Sequence, residues 1–190
     1  MEQLIQLDRE LFLFLNGLGT TTFDGFWMFI TGKWNAIPMY VLLLLVLYKK
    51  IGLKHTVLTL VLVAIMIACT DQLANLFKKF LFLRPRPCHD VELLEIMRLV
   101  KSYCGGRYGY FSAHAASSMA LAVFLGKILQ PHVKYLYTFL ITWALFVGYS
   151  RIYIGVHYPA DVLTGIFFGV VIGLILYKIQ IDIIKKFFIK

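Results

Sequence analysis

His157-Tyr158-Pro159-Ala160-Asp161-Val162-Leu163-Thr164-Gly165-Ile166-Phe167-Phe168-Gly169-Val170-Val171-Ile172-Gly173-Leu174-Ile175-Leu176-Tyr177 carries two ionisable groups at its head and no charged residue beyond Asp161. Such a run is long enough to cross the roughly 30 Å hydrocarbon core of a bilayer as one helix. Pro159 fits a helix only in its first turn, so the helix is expected to begin near His157. Asp161 then lies one turn further in, on the face that carries His157. Gly165, Gly169 and Gly173 recur every four residues, a spacing that lets another helix approach closely. Packing within the chain is the expected use of that stripe, and dimerisation the lesser one. Arg151 stands just upstream, and a charge at the bilayer centre costs roughly 2.5 kcal/mol or more. Arg151, His157 and Asp161 in so short a stretch therefore mark a site rather than an accident of composition.

The rest of the chain agrees with a membrane setting. Of its 190 residues, 60% are hydrophobic and 15% charged, and the mean hydropathy is +0.78. A soluble domain is nearer a quarter charged. The length suits a single membrane-embedded domain, residues 1–190. The net charge of +9 is first explained by cytoplasmic loops rich in lysine, and binding of an anionic substrate is the sharper reading. Nothing in the pattern points to nucleic acid, and oligomeric state is left open. A cleavable signal peptide is not expected, because Glu2, Asp8 and Glu10 occupy the place of a basic n-region.

Residues 3–18 read as an amphipathic helix, with Leu4, Leu7, Leu11, Phe14 or Leu15, and Leu18 opposite Gln3, Gln6, Arg9 and Glu10. It is too polar on one side to span and is expected at the membrane interface. Phe23, Phe26, Trp27, Phe29 and Trp34 continue an interfacial segment to residue 33, with a break at Gly32-Lys33. Spans are expected over 34–48, 55–82, 112–129, 133–149 and 157–177. The fold class is thus all-α, a polytopic helix bundle of five spans, or six if the first 33 residues hold one. Alternate threading gathers Lys49, Lys50, Lys54, Lys127, Lys134, Lys178, Lys185, Lys186 and Lys190 on one side, cytoplasmic by the positive-inside rule. The 83–110 loop, the start of the third span and the Arg151–His157 turn meet on the other side, as does the N-terminus if the spans number five. Cys88 and Cys104 share that loop, and a disulfide is open to them if it faces an oxidising compartment. Two cysteines in one loop need not meet the distance limits, however. Cys69 reads as packing.

Three clusters converge on the loop side: Lys79 to Pro87, Phe111-Ser112-Ala113-His114, and Arg151 to Asp161. Taken singly each has a plain explanation. Lys78, Lys79, Arg84 and Arg86 can snorkel to headgroups, and a lone His114 is more often a hydrogen-bonded core residue. His157 with Asp161 can supply half of a metal site. Together, the cations of Lys79, Arg86 and Arg151 disfavour a metal and suit a phosphate, which arginine grips bidentately. Ser112 at a helix N-terminus adds a hydroxyl and free N–H groups. Two histidines allow a transfer without metal or cofactor, one attacking phosphorus and the other protonating the leaving oxygen. Asp71 interrupts an apolar run, in register with Asn75 and Lys79 or Lys78, and is expected to hydrogen-bond a neighbouring helix.

The three clusters resemble the motifs of the type-2 phosphatidic acid phosphatase superfamily of integral-membrane lipid phosphatases. Its first motif is Lys, six residues and Arg-Pro, matched by Lys79 and Arg86-Pro87. The second, Pro-Ser-Gly-His, is met by Phe111-Ser112-Ala113-His114 with two substitutions. The third, Ser-Arg, five residues, His, three residues and Asp, is met in full by Ser150, Arg151, His157 and Asp161. The resemblance implies a hydrolase in which His157 forms a phosphohistidine, Asp161 steadies it and His114 is the general acid. It also implies that Lys79, Arg86, Ser112, the Ala113 N–H and Arg151 bind the phosphoryl group, with no metal. Phe111 in place of proline is expected to alter the entry to the helix and the path of the substrate.

A site opening between helices admits a lipid sideways, with its phosphate at the interface. A bacterial-type inner or plasma membrane, with the site facing the periplasm or exterior, is the expected setting. The further cations Arg84, Arg98, Lys101 and Arg107 favour a multiply charged headgroup, so undecaprenyl diphosphate is the expected substrate. Lipid A, phosphatidylglycerophosphate and phosphatidic acid are the alternatives. A catalytically silent lipid-binding or transport protein is the alternative of another class. The loop is long enough to act as a lid, with a flexible point at Gly105-Gly106.

Overall fold

The computed structural model describes residues 2–32 and 34–187; Lys33 and Lys190, expected at a break and in the basic tail, lie outside the described residues. Those described form an all-helical bundle, apart from one isolated pairing of Pro85 with Tyr108. In order come α1 (Glu2–Gly17), α2 (Thr21–Thr31), α3 (Ile37–Leu76), the single turn α4 (Val91–Leu94), α5 (Ala113–Leu129), α6 (Leu136–Tyr153) and α7 (Pro159–Phe187). A widened helical turn, Phe77–Leu81, continues α3. By length and composition, two helices can cross a membrane, Trp34–Leu81 and Pro159–Phe187, and α5 is a shorter apolar helix.

Gly52 divides α3. Its φ of 76° and ψ of 170° lie outside the helical region, where a side chain would be strained. The lysines Lys49, Lys50 and Lys54 surround this point, and Thr56 Oγ1 donates to the Gly52 carbonyl at 2.8 Å. The two arms fold back on one another. Leu43 and Leu47 share one buried cluster with Leu62 and Met66, whereas a straight helix would hold Leu43 and Met66 roughly 35 Å apart. The two arms fall where spans are expected, at 34–48 and 55–82.

The centre of the bundle is α5, apolar all round and buried on most of its surface, from Ala115 to Leu129. It packs against α7 through the glycine stripe. An ideal Cβ on Gly165, Gly169 or Gly173 would stand 2.5, 2.5 or 2.8 Å from the carbonyl oxygens of Ser112, Ala116 and Ala120. The two backbones therefore touch, and the stripe is used within the chain.

Near the start of α7, α1 and α2 lie against the end of α6. Phe12 is buried edge-on against Tyr158, with ring centroids 5.4 Å apart. Asp8 accepts from the Ala160 N–H at 2.8 Å, placing a carboxylate at the positive N-terminus of α7. Leu4, Leu7, Leu11, Phe14 and Leu18 stay exposed, leaving the expected apolar stripe open for lipid. Buried Asn16 ties α1 to two other segments. Its amide donates to the carbonyls of Arg98, Ile152 and Tyr153, and its oxygen accepts from the Arg98 N–H at 2.7 Å.

The 83–110 loop is pinned rather than a free lid. Cys88 and Cys104 form a disulfide, with Cα atoms 6.0 Å apart. Arg9 of α1 pairs with Asp90 and Glu92, and the Tyr158 hydroxyl donates to Asp90 at 3.1 Å.

Candidate active site

His157 lies in the turn between α6 and α7 and is 2% exposed. The backbone holds it there: the His157 and Val156 N–H groups both donate to the Arg151 carbonyl. As the helical spacing predicts, Asp161 lies behind it, with Oδ2 at 3.2 Å from Nδ1. That carboxylate also accepts from the Tyr158 N–H at 3.1 Å, and Arg84 stands 3.7 Å from its other oxygen. A carboxylate on Nδ1 fixes the tautomer that bears its proton there and leaves the Nε2 lone pair free. Nε2 points toward Arg86, whose Nη1 is 3.5 Å away.

Burial, followed by the charges of Arg86, Arg151 and Lys78, holds the His157 pKa well below its ordinary 6.5. The imidazole is therefore neutral at neutral pH, the form in which nitrogen can attack. Arg86 itself is held by the carbonyls of Tyr108 and Cys104, each at 3.4 Å. Gly109 lies against this group. A Cβ there would come within 2.9 Å of Arg86 Cγ and 3.5 Å of His157 Nδ1. Sequence reasoning looked to Gly105-Gly106 for flexibility and missed the close approach at Gly109, for which the sequence holds no signal.

His157, Arg86, Arg151, Ala113 and His114 all line one cavity of about 680 Å³. Arg151 is 6% exposed and donates to the Thr31 hydroxyl of α2. Two expected residues stand elsewhere. Lys79 is exposed outside the cavity wall, and Lys78 lines it instead. Asp71, Asn75 and Lys78 form an i, i+4, i+7 stripe, so two full turns from Asp71 lead to position 78. Ser112 is fully buried and caps α5, its Oγ accepting from the Ala115 N–H at 3.4 Å and its own N–H donating to the Asp161 carbonyl at 3.0 Å. It braces the two histidine segments against each other rather than facing the cavity.

Other expectations change too. Arg84 pairs with Asp8 at 2.6 Å and stacks on Tyr158, while Arg98 forks onto Asp24 at 3.0 and 3.1 Å. Both are committed to holding α1 and α2, so they add little field for a headgroup. The Phe111 ring is buried between Phe77 and Phe168, at 5.2 and 4.9 Å, behind the cavity rather than on the substrate's path. Asp71 makes no hydrogen bond to a neighbouring helix among the described residues; it faces the cavity. Among the described residues no cluster of three or more metal-ligating side chains occurs.

A neutral, oriented imidazole among fixed cations can accept a phosphoryl group, and a second imidazole on α5 can serve the leaving oxygen. Comparison with known proteins agrees. The model of the PAP2 superfamily matches residues 56–185. The chain is similar to a lipid A 4'-phosphatase of Porphyromonas gingivalis, with 35% identity over 183 residues, 95% of this chain and 76% of that one. It is also similar to the undecaprenyl-diphosphatase BcrC of Bacillus subtilis, with 26% identity over 192 residues, 95% of this chain and 88% of that one. In fold it resembles a transmembrane PAP2-type phosphatidylglycerolphosphate phosphatase from Bacillus subtilis, with a TM-score of 0.75 at 18% identity over 96% of this chain and 89% of that one. Three motifs in order, the geometry that joins them and a match over most of the length lead to one conclusion: the chain belongs to the PAP2 superfamily and is a membrane lipid phosphatase.

Proposed function

We propose that the protein removes a phosphate from a lipid A-type substrate, an acylated amino-sugar phosphate, through a phosphohistidine on His157. The reading rests above all on the His157–Asp161 pair facing Arg86 and Arg151 at the wall of a lipid-sized cavity. In the first step Nε2 of His157 attacks phosphorus, the bond to the ester oxygen breaks, and protonated His114 gives that oxygen its proton. Arg86, Arg151, Lys78 and the Ala113 N–H hold the phosphoryl oxygens as charge builds on them. In the second step water attacks the phosphohistidine, His114 takes its proton, and inorganic phosphate leaves. Asp161 orients the ring throughout.

Similarity to the lipid A 4'-phosphatase, at 35% identity, favours this substrate over undecaprenyl diphosphate, since the match to the undecaprenyl-diphosphatase stands at 26%. The commitment of Arg84 and Arg98 to Asp8 and Asp24 also removes two of the four extra cations that argued for a diphosphate. We infer that the site faces the periplasm or exterior. The lysine-rich end of the bundle suits the cytoplasm, and the Cys88–Cys104 disulfide suits an oxidising compartment.

The test is phosphate release by purified protein from lipid A, undecaprenyl diphosphate, phosphatidylglycerophosphate and phosphatidic acid side by side in EDTA. Lipid A is expected to give the highest kcat/KM, with inhibition by vanadate and no turnover in His157→Ala. Preference for another lipid would refute the substrate, and retained turnover in His157→Ala the mechanism.

A further inference from the structure

The cavity that holds the histidines does not end with them. From His114 to Leu125 along α5 it runs roughly 16 Å into the bundle, at about 1.5 Å per residue. Its far part is lined by leucines, Leu47 and Leu125 among them. Between the cationic mouth and this apolar end lies a polar band that the phosphotransfer chemistry does not use. Asp71 and Asn75 stand on the second arm of α3, on the same stripe as Lys78, and all three line the cavity. Across from them Trp143 of α6 lines it too, and its indole N–H meets no acceptor among the described residues.

A carboxylate in an apolar span is costly and marks function by default. Asp71 and Asn75 are exposed to the cavity and make no hydrogen bond or ion pair among the described residues, and Lys78 acts on Asp71 only through its charge. Their depth is informative. Asn75 lies roughly 4 Å and Asp71 roughly 10 Å below Lys78 along the helix axis, between the level of the phosphate and that of the hydrocarbon chains. At the depth of Asp71 a polyprenyl diphosphate has only hydrocarbon, its second phosphate reaching no further than the level of Asn75. A phosphorylated amino sugar with hydroxyacyl amides has hydroxyl and amide N–H donors there, and amide carbonyls for an N–H such as that of Trp143.

We propose that Asp71, assisted by Asn75 and Trp143, is the specificity-determining group of the site. In this role it accepts hydrogen bonds from hydroxyl or amide donors between the phosphate and the acyl chains. The assignment rests on the reading of the cavity as a lipid-phosphate site. Its selectivity follows from the penalty for mismatch. Asp71 is open to the cavity; a substrate that fills the cavity without offering a donor leaves that carboxylate desolvated and unpaired, and is rejected for it.

The test compares kcat/KM for two substrates, a 4'-phosphorylated hydroxyacyl-amide disaccharide lipid and undecaprenyl diphosphate, in wild type, Asp71→Leu and Asp71→Asn. The expected result is a fall of about tenfold or more in the ratio of the two values for Asp71→Leu, and a smaller fall for Asp71→Asn, which keeps an acceptor oxygen. An unchanged ratio in Asp71→Leu, whether both activities drop or neither does, overturns the assignment. Should Asp71→Leu fail to fold, Asn75→Leu and Trp143→Phe are read by the same ratio, and an unchanged ratio in both overturns it equally. Wild-type protein that hydrolyses neither lipid would sink the proposed function itself, an outcome distinct from equal losses on both.

Discussion

Replacing Gly165 by alanine tests whether the contact between α5 and α7 sets the catalytic distance. The added Cβ would stand 2.5 Å from the Ser112 carbonyl oxygen and 3.2 Å from Ala115 Cβ. The first neighbour is backbone and cannot rotate away, so the helices must part by about 0.9 Å to reach an ordinary 3.4 Å contact. Overpacking of this kind costs about 1–3 kcal/mol of stability. The catalytic effect should be larger, because His114 rides on α5 beside Ser112 while His157 leads into α7. A misplacement of roughly 1 Å between reacting groups can cost about 100-fold in rate. The assay is kcat for phosphate release, paired with thermal unfolding in the same detergent. Gly173→Ala is the control: its Cβ would meet the Ala120 carbonyl at 2.8 Å, two turns further from the histidines. It is expected to lower stability while sparing most of kcat. Equal loss of kcat in the two variants, or wild-type kcat in Gly165→Ala, would refute the reasoning.

Because the His157 pKa lies below 6.5, the neutral nucleophile persists to lower pH, and the acid limb of kcat/KM is expected below pH 6.5. Arg86→Gln removes one of the charges that lower it, so that limb should move to higher pH; a limb that stays put or moves down contradicts the assignment. Lys78→Met should cost more turnover than Lys79→Met, measured under identical conditions, since only Lys78 lines the cavity. Asn16→Ala should lower unfolding free energy by about 2–3 kcal/mol, because the Tyr153 carbonyl and the N–H of Arg98 lose their partner, while the Ile152 carbonyl keeps the Gly155 N–H; a urea titration that finds no change would remove Asn16 from the account. Cys88→Ser opens a loop of sequence separation 16, worth about 3 kcal/mol, and frees the Cys104 carbonyl that holds Arg86. A rise in KM alongside the loss of stability is expected, and a change in stability alone would detach the disulfide from the site.

Much of the architecture was legible in the sequence because a bilayer imposes simple rules. Long apolar runs, Gly165, Gly169 and Gly173, and the lysines around Gly52 all carry local signals. His157 and Asp161 were readable for the same reason, since four residues in a helix fix a shared face. Position 78 against 79 was not. Adjacent residues on a helix differ by about 100°, and neither spacing nor motif says where the wall of the cavity runs. The role of Ser112 was half legible. A helix N-terminus predicts a cap and an anion site equally well, and only the packing of α7 against it decides. The pairing of Arg84 and Arg98 with Asp8 and Asp24 was beyond reach, since it joins residues more than seventy positions apart. Charges that look available in a loop can already be neutralised by a distant helix.

The backbone contact between α5 and α7 has a consequence for how such a molecule can change. The interval between the two imidazoles is set by main-chain atoms, which every substitution leaves in place except at the glycines. The opposite wall, with Asp71, Asn75 and Leu47 on α3 and Trp143 on α6, stands away from that backbone contact and carries side chains that can be exchanged. One half of the bundle is thus a fixed gauge and the other an exchangeable jaw. Lineages can reshape the jaw for a new lipid residue by residue while the gauge, and with it the chemistry, keeps its setting.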